Sequence, residues 1–216
     1  MLNPLEINGA ANMKKRRFIR EIVSLLVTMI VIFTIVFILN LTVFTISGVN
    51  QVSMKNTLIE GDIVYYSRFV NKTDEFKRED IILFLTGGRE KHGIWDAISI
   101  KFTDLKDSLT KQRKFTNERY VKRIIGIPGD IIEIDDDGKV YVNGEVEKKP
   151  YVLGLTTKGE LKYPLKVPEG DFFVMGDNRE MSVDSRDFGC VSINSFEGRA
   201  AFILWPPSRV KQIKQD

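Results

Sequence analysis

Two kinds of hydrophobic patterning divide this 216-residue chain. No charged side chain occurs from Ile22 to Met54, and Ile22–Ile46 is dominated by Ile, Val, Leu and Phe. At about 1.5 Å of rise per residue, that run is long enough to cross a hydrocarbon core of about 30 Å, so 22–46 reads as a transmembrane helix. Beyond it, apolar residues come in short bursts bounded by turn residues. Strands are expected at Asp62–Tyr66, Asp80–Leu85, Arg119–Ile125, Ile131–Ile134, Lys139–Val142, Asp171–Val174 and Ala200–Leu204. Asp135-Asp136-Asp137-Gly138 supplies a hairpin turn and Asn143-Gly144 the next one, since Asp, Asn and Gly accept the positive φ of a tight reversal. Thr86–Asn117 is polar, lysine-rich and weakly patterned, and reads as a loop or ribbon inserted between core strands, while Lys148–Pro168 is a second irregular excursion. The fold class expected is mainly β: an antiparallel β-sheet domain over 47–216, one transmembrane helix over 22–46, and a basic segment over 1–21.

Charge orients this arrangement. Lys14, Lys15, Arg16, Arg17 and Arg20 precede the apolar run, and the positive-inside rule places them in the cytoplasm and everything after the helix outside. A cleaved signal sequence is the alternative, but its apolar stretch is usually only about 7–15 residues. Overall, 32 basic residues face 29 acidic ones, a net charge of +3 that implies no nucleic-acid surface. Cys190 is the single cysteine, which excludes an intramolecular disulfide or a cysteine-built metal site and suits a small buried side chain. His92 is the single histidine, in a polar Glu90-Lys91-His92-Gly93 segment that reads as an ordinary loop. A hydrolase built on this chain therefore needs a proton acceptor other than histidine.

Three segments are dense in chemistry. Val49-Asn50-Gln51-Val52-Ser53-Met54-Lys55-Asn56-Thr57-Leu58, followed by Gly61-Asp62, puts Ser53 a handful of residues past the helix, at no more than about 3.3–3.6 Å each. Tyr120-Val121-Lys122-Arg123-Ile124-Ile125-Gly126-Ile127-Pro128-Gly129-Asp130 carries a lysine among apolar neighbours. A free lysine has a pKa near 10.4 and takes up no proton at neutral pH unless burial lowers it, and this setting favours burial. In an alternating strand Lys122 shares a face with Tyr120 and Ile124, and Arg123 points the other way. Gly176-Asp177-Asn178-Arg179 through Ser182, Asp184-Ser185-Arg186 and Phe188-Gly189 follows apolar Phe172-Phe173-Val174-Met175 and reads as a strand delivering a constrained turn. Asp177 and Arg179 fit there as turn-forming, salt-bridged residues.

With the anchor, these segments resemble, in order and spacing, the type I signal peptidase family in its Gram-positive form, over nearly the whole chain. The resemblance implies a sheet domain of the signal peptidase type and a membrane-bound serine endopeptidase that removes signal peptides through a Ser-Lys dyad. Ser53 takes the nucleophile's position and Lys122 the general base's. Ser182 lies where a hydroxyl orients the lysine, and Asp184 and Arg186 would hold the local fold by an ion pair. The Ser53 N–H, with Gln51, would stabilise the oxyanion, and Val52, Met54, Ile81, Ile82, Leu83 and Phe84 would wall the cleft. No metal or organic cofactor is implied. The partners implied are signal peptides of exported preproteins, the lipid bilayer, and secretion translocase or pilus-assembly proteins; nucleic acid is not one. Three positions depart from the family pattern: Gln51 for a small residue, Asn56 for proline and Met181 for asparagine. They bear on substrate range and rate more than on reaction type. Two other readings remain open at this level, a non-cutting accessory protein for surface-protein or pilus assembly, and a β-rich scaffold in which Ser53, Lys122 and Ser182 lie apart.

Overall fold

The computed structural model describes residues 4–68, 75–87, 90, 93–110, 118–147 and 150–213; His92 lies outside them. It divides into two units, 1–42 and 43–216. The first is helix α1 (Pro4–Thr42), whose stretch Arg16–Leu39 has a mean hydropathy of 3.1 with none of it buried. Those 24 residues extend about 36 Å, enough to span a bilayer. The helix stops four residues short of the expected boundary at Ile46. Phe44–Gly48 instead forms strand β1, paired antiparallel with β2 (Ile63–Ser67) in the register Phe44↔Ser67 to Gly48↔Ile63. Val, Phe, Thr and Ile suit a strand as well as an apolar helix, and Phe44 stacks on Tyr65 at 5.5 Å between ring centroids.

In the second unit, the larger sheet runs β1-β2-β11-β3-β4-β9-β10, with β12 on the free side of β11. Its other strands are β3 (Ile81–Leu85), β4 (Arg119–Gly126), β9 (Asp171–Met175), β10 (Val191–Ser192), β11 (Phe196–Trp205) and β12 (Lys211–Gln212). A smaller sheet runs β7-β6-β5-β8 and consists of β5 (Ile131–Ile134), β6 (Val140–Val142), β7 (Glu145–Val146) and β8 (Leu165–Lys166). All of these pairings are antiparallel. The seven strands expected from the sequence are all present. Asn143 (φ 54°) and Gly144 (φ 80°) make the β6–β7 turn, and Gly138 (φ 74°) helps close β5–β6.

Strand β3 explains why the core reads as one apolar run in mid-sheet. Ile81 and Leu83 join Met54, Val64 and Tyr66 on one face, and Ile82 and Phe84 join Ile124, Phe172 and Val174 on the other. Both faces are covered, so no alternation survives. The smaller sheet packs Ile132, Ile134, Val140 and Val142 against Ile125, Phe173 and Met175. Within 86–117, expected as loop or ribbon, Ile94–Leu109 is a 16-residue helix, α2. A short α3 (Ser185–Phe188) follows the constrained turn after β9.

Candidate active site

Ser53 sits on a tight 3-10 turn, Val52–Met54, between β1 and β2, with Ser53 and Met54 both buried. The turn is held from far along the chain. The Asn178 backbone N–H donates to the Ser53 carbonyl (2.9 Å), and Asn178 Nδ2 donates to the Val52 carbonyl (3.2 Å). Sequence reading assigned Asn178 no part, because nothing local marks a contact made across more than a hundred residues.

Gly176 completes the contact. A Cβ at this position would lie 2.6 Å from the Ser53 carbonyl oxygen and closer still to Ser182 Oγ. The backbone of β9 as it leaves the sheet therefore presses directly against both serines. Ser182 Oγ is buried, and no hydrogen bond of good geometry satisfies it. It does lie near enough to Asp184 to help hold that carboxylate charged. A buried hydroxyl left unsatisfied costs about 1–3 kcal/mol.

Lys122, in the middle of β4 opposite Ile82, is 1% exposed. Its Nζ stands 5.2 Å from the Tyr120 ring centroid and forms no ion pair among the described residues. Burial pushes the ammonium pKa down from 10.5 to about 8; Asp184 pulls it up, and Arg186 presses it down again. Asp184 links this lysine to the serines, since its Oδ2 accepts the Gly176 N–H (3.0 Å). Its carboxylate is clamped by Arg186 Nε (2.8 Å) and Nη2 (2.9 Å) and also caps α3. Burial alone would raise the Asp184 carboxyl pKa, but Arg186 and the Gly176 N–H outweigh it and hold it below the usual range. Gly176 thus meets the Ser53 carbonyl and Ser182 Oγ, and Asp184, bonded to the Gly176 N–H, acts electrostatically on Lys122.

The rest of the constrained turn is scaffolding. Arg123, on the opposite side of β4 from Lys122, clamps Asp177 through two 2.8 Å bonds, and Thr57 donates to the same carboxylate. Arg179, 1% exposed, donates from Nε to the Gly176 carbonyl (3.0 Å) and pairs through both terminal nitrogens with Glu147. Asp177 and Arg179 are therefore paired structural residues.

A groove of about 540 Å³ opens beside Ser53, lined by Gln51, Met54, Leu83, Tyr120 and Val121 among others. Of the six cleft residues expected from the sequence, Met54 and Leu83 line it. Ile81, Ile82 and Phe84 are core residues instead, because both faces of β3 are covered, and Val52 is 42% exposed outside the lining. Among the described residues, no group of three or more His, Cys, Asp or Glu side chains is placed to hold a metal ion. The site holds a buried lysine of lowered basicity, Lys122, and a buried serine, Ser53, with no hydrogen bond between them among the described residues.

Comparison with known proteins shows the family. The family model described as signal peptidase, peptidase S26, matches residues 20–205. Signal peptidase I of Bacillus licheniformis is 32% identical over 174 residues, covering 76% of this chain and 78% of its own. Signal peptidase IB of Staphylococcus aureus is 30% identical over 217 aligned residues, covering 89% and 94%. A solved signal peptidase I from Enterococcus faecalis is 29% identical and covers 57% of this chain and 95% of its own, with a TM-score of 0.37.

Proposed function

This chain belongs to the signal peptidase family, peptidase S26, and on that footing we propose that Ser53 and Lys122 are the dyad with which it removes signal peptides. Neutral Lys122 takes the Ser53 proton, Ser53 Oγ attacks the scissile carbonyl, and Lys122 passes the proton to the departing amine. The acyl-enzyme is then hydrolysed by a water that Lys122 activates. The Ser53 N–H, with the Gln51 amide at the groove, is the proposed donor set for the oxyanion. Ser182 positions the lysine, and Asp184 and Arg186 fix the turn that carries Ser182. The observation that carries this reading is Lys122 itself, buried in β4 with its basicity lowered and, among the described residues, in no ion pair.

The helix α1 anchors the protein in a membrane. Its basic flank at Lys14, Lys15, Arg16, Arg17 and Arg20 supports a cytoplasmic N-terminus and an extracytoplasmic sheet domain. Exported preproteins presented at that surface are the substrates. An extended segment with small side chains of the Ala-X-Ala kind suits the groove at Met54 and Leu83. Translocase or pilus-assembly proteins would be partners only through such presentation.

The test is incubation of the detergent-solubilised chain with a preprotein bearing an Ala-X-Ala junction. Release of the mature protein cut at that junction is expected. Binding of the preprotein with no cut over many hours would replace the peptidase with a non-cutting accessory role.

Lys122 also sets the pH dependence. With a pKa of about 8, its neutral fraction at pH 7 is roughly 300-fold larger than at an unshifted 10.5. Cleavage rate should therefore climb with pH and level off above about 8. A rate already flat between pH 6 and 9, measured on a peptide with no titrating group of its own, would rule Lys122 out as the base.

A further inference from the structure

Helix α2 leaves a stripe of large apolar side chains uncovered, which a helix that only covers a soluble core does not do. Its inward side carries buried Ile100, Asp107, 2% exposed, and Asp104, whose Oδ2 accepts from Arg119 Nη2 at 2.7 Å. Its outward side carries Trp95, Ile98, Phe102, Leu105 and Leu109. Intervals of 3, 4, 3 and 4 residues place these five on one stripe about 21 Å long. Trp95 is 79% exposed, Phe102 63%, Leu105 55% and Leu109 75%. The domain holds the helix by Ile100, Asp104 and Asp107 and leaves Trp95, Phe102, Leu105 and Leu109 exposed.

The docking of α2 shows where that stripe lies. Arg119 pairs with Asp104 and also with Glu197 at the start of β11. Glu197 pairs with Arg68 (3.5 Å), whose Nε donates to Thr45 Oγ1 (2.9 Å) and whose backbone N–H donates to the Val43 carbonyl (2.9 Å). Val43 and Thr45 are within three residues of the end of α1. An unbroken chain of polar contacts therefore ties α2 to the end of the sheet where the polypeptide enters from the membrane. From Leu39, the last residue of the apolar span, to Thr45 is at most about 22 Å of chain.

We propose that α2 is an in-plane membrane helix whose Trp95–Leu109 face rests at the headgroup–acyl boundary of an anionic bilayer. Arg89 and Lys91 precede the helix in sequence and Lys111, Arg113 and Lys114 follow it, a basic flanking that complements anionic headgroups. The anchor keeps the bilayer at high effective concentration, so even a weak contact is occupied. The inference rests on the anchored placement of the domain and not on its peptidase chemistry. It also touches that chemistry, because Asp104 lines the groove beside Ser53. A lipid-seated α2 holds the mouth of the groove at the membrane surface, where a substrate emerges.

The chain has only two tryptophans, so Trp205→Phe leaves Trp95 as the sole reporter. This full-length variant is reconstituted into phosphatidylglycerol–phosphatidylcholine vesicles containing lipids brominated at known depths. Trp95 emission should fall at least about twofold when the bromines sit near the headgroup end of the acyl chains, and less when they sit at the bilayer centre, as a shallow helix requires. Emission unaffected by bromine and quenched by aqueous iodide overturns the proposal. A change that follows the protein-to-lipid ratio, with copies cross-linking through the stripe, overturns it in favour of a second copy of this chain. Phe102→Ser combined with Leu109→Ser should slow cutting of a vesicle-embedded preprotein several-fold while leaving a short soluble peptide unaffected; equal loss on both substrates counts against a lipid role. The fluorescence arm reads lipid contact whether or not the chain cuts, so its failure is separate from failure of the dyad.

Discussion

Ser53→Ala and Lys122→Met should each abolish preprotein cutting, by about 10⁴-fold or more, and the double variant should be no worse than either alone, because residues that act as one unit are not additive. The two differ in stability. At pH 7 the parent keeps a charged ammonium in a site that depresses its pKa from 10.5 to about 8, a penalty of roughly 3 kcal/mol. Methionine fills similar space without the charge, so Lys122→Met should raise the thermal midpoint at pH 7 by about 6–12 °C. The sign follows from proton counting. Between the folded pKa of about 8 and the unfolded 10.5, the unfolded chain holds the extra proton, so the parent gains stability as pH rises through that window. The gap between parent and variant should therefore close toward pH 10.5. Ser53→Ala should leave the stability profile nearly parallel to the parent's. A Lys122→Met chain that unfolds at the parent's temperature at every pH would mean that the lysine is not buried as described, and a Ser53→Ala chain that still cuts would end the dyad.

Gly176→Ala is the other change expected to act strongly, because the added methyl lies within 2.6 Å of the Ser53 carbonyl and closer to Ser182 Oγ. The requirement is spatial. Gly176 is not among the positive-φ glycines, so alanine meets no backbone obstacle there. Relief requires the β9 exit, the Ser53 turn or Ser182 to shift. Overpacking of this kind costs about 1–3 kcal/mol, and displacement of a nucleophile by about 1 Å costs about 100-fold in rate. Adding Ser182→Gly removes one overlap and leaves the Ser53 one, so the double variant should recover stability while remaining slow. Full activity in Gly176→Ala, measured beside a thermal midpoint equal to the parent's, would show that Gly176 does not set the position of Ser53.

Much of the fold was legible because its signals are local. Bursts such as Ile131–Ile134 and Lys139–Val142, separated by Asp-Asp-Asp-Gly, carry strand and turn chemistry in adjacent residues. Lys122 was legible for the same reason, lying among Val121, Ile124 and Ile125. What escaped was set by partners far along the chain. Phe44–Gly48 continues the apolar run of the anchor, and only pairing with β2 makes it a strand. The helix α2 hides because the usual rule puts most apolar residues inward, whereas here Ile100 shares the inward side with Asp104 and Asp107 while Trp95, Phe102, Leu105 and Leu109 stay exposed. Ile81, Ile82 and Phe84 looked like cleft wall because an apolar strand beside a site reads the same as one sandwiched between two layers of core. Asn178 and Gly176 could not be read as holding Ser53 from spacing, since that contact exists only after β9 is in the sheet.

The last point bears on when the molecule becomes active during its own biosynthesis. The polypeptide emerges N-terminus first, so the anchor and Ser53 are delivered long before the segment that holds the Ser53 carbonyl. Asn178 and Gly176, with the Asp184–Arg186 clamp behind them, come from the last fifth of the chain. A nascent chain therefore lacks the contacts that hold the Ser53 turn until Gly176 and Asn178 have been made. Premature termination before Gly176 yields a membrane-tethered fragment with the serine and the lysine but without the parts that align them. Such a product carries Ser53 without the contacts that hold its carbonyl.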